Sequence, residues 1–344
     1  MLKRLVFLDW LRVFATLAVV TIHVSGSFVG ENLYINNSQW FAGNLFESIS
    51  RSAVPLFVMI SGALMLKGNK KIEYKEFLLK RVSKVIVPLI AWSIIYYIFY
   101  SMRGDYGFSL REGLKLFIKN GISYPLWFLY MILGLYIITP VLKIFIKNAT
   151  QKDLGYFLLL WLYASVLVKL MTFIKGFSFN IELYYATDYV GYFILGYYLS
   201  QFEIPNRWRK FSYVCGVVGI IVTFILTYVY TIRSGGQLQE FWYGYFTPNV
   251  LATAVGSFIF CRYKLSEEKN RLPIFAEIIN ECSFGIYLSH ILVLRVLSND
   301  LFLWINARMN PFMAIPTKVL IIVVISSIMV MIIKRIPMVG KIVS

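Results

Sequence analysis

Arg12 and His23 lie inside the first apolar stretch of the chain, Leu5 to Val24, where a guanidinium and an imidazole are out of place. On a helix, eleven residues turn through about 1100° and rise roughly 16 Å, which returns His23 to within about 20° of the Arg12 face, three turns higher. Both polar groups therefore look into the same interior. A guanidinium near mid-membrane costs at least about 2.5 kcal/mol, so an ionisable residue at that depth points to function. The imidazole adds a group that can exchange a proton near neutral pH, which suits acid–base chemistry. The plainer alternative is that Arg12 pairs with Asp9, three residues earlier, and that His23 is an ordinary polar residue at the outer membrane surface.

Other residues could serve the same chemistry. The second histidine closes the run Ser283-Phe284-Gly285-Ile286-Tyr287-Leu288-Ser289-His290, in which the small residues permit close helix approach and Tyr287 and His290 sit one turn apart on one face. His290 is either a hydrogen-bonded packing residue or a further polar contributor to the site. Trp127, in Pro125-Leu126-Trp127-Phe128, and the aromatic run Glu182 to Tyr198 offer ring faces for a sugar, although interfacial aromatic belts have the same composition. Lys80, Arg81 and Lys84 fall at i, i+1 and i+4, one basic face at the cytoplasmic membrane surface. That face suits either anionic lipid headgroups or the phosphates of a nucleotide-like ligand. Two distant histidines, with no HExxH and no paired cysteine spacing, argue against a metal centre. The lack of a Walker loop and of a GxSxG elbow argues against ATP-driven pumping and the usual serine hydrolase.

The elements that must position these residues are membrane helices. With 59% hydrophobic and only 15% charged residues, the 344-residue chain is far more apolar than a soluble domain. Apolar runs predict ten spans, 5–24, 53–66, 85–102, 125–146, 154–174, 186–201, 212–232, 245–262, 275–297 and 312–333, of which the second and sixth are short. The expected fold is an all-α polytopic bundle forming a single transmembrane domain, 1–344. The net charge of +17 does not indicate nucleic acid, because 22 of the 34 Lys and Arg fall in alternate loops and at both ends of the chain, which predicts cytoplasmic termini. Arg51, Arg103, Arg111, Lys115 and Lys119 remain on the opposite side. Cys215, Cys261 and Cys282 read as small core residues without a disulfide framework. Asp9 and Arg12 interrupt the first span too strongly for a signal peptide. Ser25 to Ser50, polar and aromatic with Gly26, Gly30 and Gly43 as breakers, reads as a long loop or a lid over an outward-facing site. No repeat and no inverted pair of halves is present, which counts against a carrier.

Taken in order, these motifs resemble the acyltransferase-3 family of bacterial membrane acyltransferases. Arg12 to His23 is similar to that family's Arg-x10-His signature, Ser50-Arg51-Ser52-Ala53-Val54-Pro55-Leu56-Phe57-Val58-Met59-Ile60-Ser61-Gly62 to its second-helix segment, and Lys80-Arg81-Val82-Ser83-Lys84-Val85-Ile86-Val87-Pro88 to its basic motif. The resemblance continues through Leu126-Trp127-Phe128-Leu129, Tyr136 with Pro140, and Ser283 to His290. It implies an O-acyltransferase of the bacterial cytoplasmic membrane that moves an acyl group, usually acetyl, from cytoplasmic acyl-CoA to a hydroxyl of a cell-surface polysaccharide or lipid-linked glycan. No tightly bound cofactor is expected. The resemblance covers 1–344 without the SGNH hydrolase-like domain that many relatives carry, so a single transmembrane domain is expected, and the family's behaviour suggests a homodimer. His23 would act as general base or transient acyl acceptor, and Arg12 would stabilise negative charge or anchor a donor phosphate. Lys80, Arg81 and Lys84 would hold the CoA phosphates. Arg51, Trp127, Tyr287, His290 and Asp9 would contact the acceptor or support the residues that do. The rivals from other classes are a non-enzymatic exporter or flippase of polysaccharide or lipid-linked sugar, and a membrane sensor.

Overall fold

The computed structural model describes residues 5–30, 37–68, 73–176, 183, 187–267, 271–337 and 339–343. Among them, nine helices or end-to-end helix pairs are long and apolar enough to cross a membrane, so the chain is an all-helical, multi-pass membrane protein. In chain order the helices are α1 (Val6–Gly30), α2 (Ser38–Ser50), α3 (Ala53–Met65), α4 (Tyr74–Met102), α5 (Leu110–Ile118), α6 (Trp127–Asn148), α7 (Gln151–Trp161), α8 (Val168–Lys175), α9 (Tyr189–Gln201), α10 (Asn206–Arg233), α11 (Pro248–Lys264), α12 (Ile274–Leu297), α13 (Leu301–Arg308) and α14 (Pro311–Arg335). A π-helical stretch, Leu162–Leu167, joins α7 to α8 within one crossing.

α1 is the hub, packed against α2, α3, α11, α12 and α14. α10 lies at the periphery, where Val214, Val217, Ile221 and Ile225 form an exposed apolar row suited to lipid. Cys261 and Cys282 are buried and unpaired, as expected of small core residues.

Two expectations need correction. The second crossing starts well before residue 53, because α2 and α3 run end to end from Ser38 to Met65. Ser25 to Ser50 is therefore no lid. α1 continues to Gly30, and α2 opens with Asn37 accepting a hydrogen bond from the Trp40 amide at 2.8 Å. Gly43 is a contact point rather than a breaker, since a Cβ there would stand 2.7 Å from the Val29 side chain. Polarity misled the reading, as Asn44, Glu47 and Ser48 are buried against other helices, not hydrated.

The sixth expected span is helical only over the thirteen residues of α9, about 20 Å against a hydrocarbon core of roughly 30 Å. Residue 186 of that span lies outside the described residues. Tyr192, Phe193 and Ile194 are fully buried, so its apolarity serves the protein interior. α9 lies backbone to backbone on α3: a Cβ on Gly62 would stand 1.8 Å from the Phe193 carbonyl oxygen, and one on Gly196 would stand 2.0 Å from that of Met59.

Candidate functional site

Arg12 lines a cavity of about 190 Å³ enclosed by α1, α3, α4, α6 and α12, facing Ser61, Tyr136 and Ser283. Its guanidinium donates to Asn280 Oδ1 at 2.9 Å and stands 3.4 Å from Asp9 Oδ1. The Asp9 pairing thus exists, but the second anchor comes from α12 and the side chain still keeps 28% of its surface open. Both contacts are made by the same nitrogen, Nη1, which anchors the side chain while it lines the cavity.

Three of the rings that line this cavity pack together on the side nearest His290. Phe57 and Phe128 have centroids 6.0 Å apart, and each packs on Tyr287, at 6.3 and 5.2 Å. The Tyr287 hydroxyl donates to the Pro125 carbonyl. Tyr287 also touches His290, with centroids 5.8 Å apart. Arg12 and His23 consequently share the interior side of α1, as their spacing predicts, but they stand on opposite sides of an aromatic partition.

Beyond the partition, the His23 ring lies 5.0 Å from that of His290 and meets Tyr124 edge-on at 5.5 Å. His23 is half-buried and His290 fully buried. His290 Nδ1 sits 2.6 Å from the Tyr287 carbonyl oxygen and 3.2 Å from that of Ile286. Carbonyls only accept, so Nδ1 carries the hydrogen and Nε2 presents a lone pair. Nε2 is buried without a partner among the described residues. His290 is therefore more than packing, because it leaves an unsatisfied acceptor beside His23.

The outer wall is built on α2. Glu47 ion-pairs with Arg51, whose guanidinium lies 4.2 Å from the centre of the Tyr243 ring. The Tyr243 hydroxyl donates to Asn44 Oδ1 at 2.6 Å. Gly26 lets this group approach α1 one turn beyond His23, since a Cβ there would come within 3.2 Å of Glu47 Oε1. Trp127 continues the wall, nearly parallel to Tyr245 at 6.2 Å and 5.9 Å from Tyr189. From the aromatic run Glu182 to Tyr198, residues 182 and 184–186 lie outside the described residues. Sequence reasoning missed Asn280, Tyr124 and Glu47. Only Glu47 carried a signal, an acid one helical turn before Arg51, and it was hidden by reading its segment as a loop.

The basic residues of α4 do not share one face towards the site. Arg81 is half-buried, one turn before the cavity-lining Val85 and close enough for its charge to reach Tyr136. Lys80 and Lys84 are exposed on the adjoining face. Successive residues diverge by about 100° on a helix, so only one of the three can point along Val85.

A model of the Acyl_transf_3 family, described as an acyltransferase domain, matches residues 5–332. No curated protein and no solved structure matches the chain.

Proposed function

The chain belongs to the acyltransferase-3 family and is a multi-pass membrane acyltransferase; within that class we propose that it moves an acyl group, acetyl foremost, from cytoplasmic acyl-CoA to a hydroxyl of a cell-surface polysaccharide or lipid-linked glycan. The observation that carries this reading is the partition. A cavity holding Arg12 ends at Phe57, Phe128 and Tyr287, and the histidine pair lies immediately behind them. Donor and acceptor can then approach from opposite faces of the membrane, which a polyanionic donor requires. The enzyme is placed in the bacterial cytoplasmic membrane with its basic loops inside. Within the family we propose an enzyme of the kind that O-acetylates the enterobacterial common antigen, on the sequence motifs alone, which would make the acceptor a surface glycan. The family match favours an enzyme over an exporter.

In this scheme Arg81 holds the donor's phosphates at the cavity mouth, Lys80 and Lys84 add long-range attraction, and Arg12 guides the acyl-bearing arm. The ring partition shifts to let the thioester reach His23. His23 removes the acceptor hydroxyl proton, the oxygen bonds to the thioester carbonyl carbon, and the carbon–sulfur bond breaks. The departing thiolate takes the proton back from the imidazolium. In the covalent variant, the His23 ring nitrogen takes the acyl group first and hands it to the hydroxyl. His290, with its tautomer fixed by the Tyr287 carbonyl, supplies an acceptor for a proton on His23.

The test is purified protein in nanodiscs with acetyl-labelled CoA and a glycan acceptor, reading free CoA and labelled glycan together. No CoA release with any acyl chain or acceptor, in folded protein, would sink the enzyme mechanism. Two substitutions refine it. Arg12→Lys keeps the charge but loses the planar, multi-donor guanidinium whose Nη1 reaches both Asp9 and Asn280. Its kcat is expected to fall at least about tenfold, on the scale of one charge-assisted hydrogen bond; activity within twofold of wild type would reduce Arg12 to a point charge. Arg81→Gln is expected to raise the KM for acyl-CoA severalfold more than Lys80→Gln, and steady-state kinetics showing equal effects would contradict the placement of Arg81 at the mouth.

A further inference from the structure

A second cavity, of about 360 Å³, opens at the ends of α4 and α12 that lie on the His23 side. Tyr100, Tyr106, Tyr124, Arg103, Arg295 and Asp105 wall it. Tyr124 belongs to both places, forming part of this groove while its edge meets the His23 ring at 5.5 Å. One tyrosine ring thus separates the groove from the histidine pair.

The groove is pre-formed. The segment between α4 and α6 is fastened to both helices by phenol hydroxyls: Tyr97 reaches the carbonyl oxygens of Gly107 at 2.6 Å and Ser109 at 2.8 Å, and Tyr130 donates to Phe117 at 2.6 Å. Tyr106 reaches the carbonyls of Gly121 and Ile122, both at 3.2 Å, and packs edge-on against Tyr100 at 5.6 Å. Arg103 Nη1 donates to the Arg295 backbone carbonyl at 3.2 Å, and both residues line the groove. Among the described residues, no ion pair ties Arg103, Arg295 or Asp105 to another group. Two guanidiniums against one carboxylate leave the groove positive. Topology disfavours arginine on this side of the membrane, so charge kept here calls for another reason. Phenol faces beside guanidinium forks are the chemistry that holds a sugar carrying a negative charge.

We propose that this groove binds the acceptor as an acidic glycan, its carboxylate or phosphate on Arg103 and Arg295 and a sugar ring against Tyr106 and Tyr124, so that a hydroxyl passes Tyr124 to reach His23. The assignment rests on the acyltransferase reading, in which the His23 side receives the acceptor, and it adds the acceptor's charge and docking place.

Binding tests it without turnover. Wild type and the double variant Arg103→Gln/Arg295→Gln, both in nanodiscs and matched for thermal unfolding midpoint, are titrated with three probes: a hyaluronan tetrasaccharide, neutral chitotetraose, and undecaprenyl phosphate. The acidic tetrasaccharide is expected to bind wild type at least about tenfold more tightly than chitotetraose, and to lose at least that factor in the double variant. The same loss seen with undecaprenyl phosphate instead identifies the anion as the phosphate of a lipid carrier. Equal affinity for neutral and acidic probes, affinity unchanged in the variant, or no binding of either anion overturns the proposal. A groove that binds in a protein that never consumes acyl-CoA would remove the enzyme mechanism alone. Robust transfer with an acceptor KM unmoved by the double substitution would remove the groove alone.

Discussion

Alanine at position 23 is expected to lower acyl transfer by about 10²- to 10⁴-fold, the span that positioned general bases contribute, while the protein still folds. The imidazole is half-buried towards the outer end of α1, and its ring contacts are to Tyr124, which is exposed, and His290. Removing it costs packing on one side only. The same variant separates the two chemical routes. With labelled acetyl-CoA and no acceptor, an acyl-histidine route leaves hydroxylamine-sensitive label on wild-type protein and none on His23→Ala, whereas a general-base route labels neither. His290→Ala provides the comparison. The Nδ1 of His290 is committed to the Tyr287 carbonyl and its Nε2 has no hydrogen-bond partner among the described residues, so His290→Ala should lower kcat less than His23→Ala. Normal turnover in His23→Ala would end both routes.

The second large effect falls on folding. Gly62→Ala puts a carbon where 1.8 Å separates it from the Phe193 carbonyl oxygen, and Gly196→Ala does the same at 2.0 Å from Met59. Neither obstacle is a side chain that can swing away. Both are backbone atoms of helices held in place along their length. Overpacking of ordinary cores costs about 1–3 kcal/mol, and contact with fixed backbone exceeds that range. Each substitution is therefore expected to prevent α3 from docking on α9, and to abolish recovery of folded protein from detergent. Gly134→Ala is the matched control. Nothing lies within 4 Å of a Cβ there, and alanine favours a helix over glycine by about 1 kcal/mol. Folded protein recovered in wild-type yield from Gly62→Ala would contradict the close approach of the two helices.

Much of the site was legible because helix geometry converts spacing into direction. Arg12 and His23 are eleven residues apart on one continuous helix, so their common interior side follows from the sequence. Tyr287 and His290 are one turn apart on another, and they do touch. The Asp9 pairing was equally readable, whereas its companion Asn280 is 268 residues away and no local rule reaches it.

What failed to be legible has a common cause. Ser25 to Ser50 carries the polarity of a loop, yet α2 buries Asn44, Glu47 and Ser48, with Asn44 bonded to the Phe224 carbonyl and the Tyr243 hydroxyl, Ser48 to Asn44 and Glu47 paired with Arg51, so that protein groups take the place of water. The run 186–201 carries the apolarity of a span, yet α9 spends it on the protein interior. Hydropathy reports how much a segment avoids water. It does not report whether lipid or protein takes water's place.

By itself, then, the sequence determined a helical membrane bundle, an arginine and a histidine on one side of the first helix, and the family to which the chain belongs. The tertiary structure alone decided that aromatic rings stand between the Arg12 cavity and the histidines, that His290 is held in one tautomer beside His23, that Arg81 is half-buried while its lysine neighbours are exposed, and that a positive groove lies against Tyr124. The physical reason is range. Helical periodicity and transfer free energy act along the chain within a few turns, whereas partitions, tautomers and grooves depend on which helices pack together, and packing joins residues that no spacing rule connects.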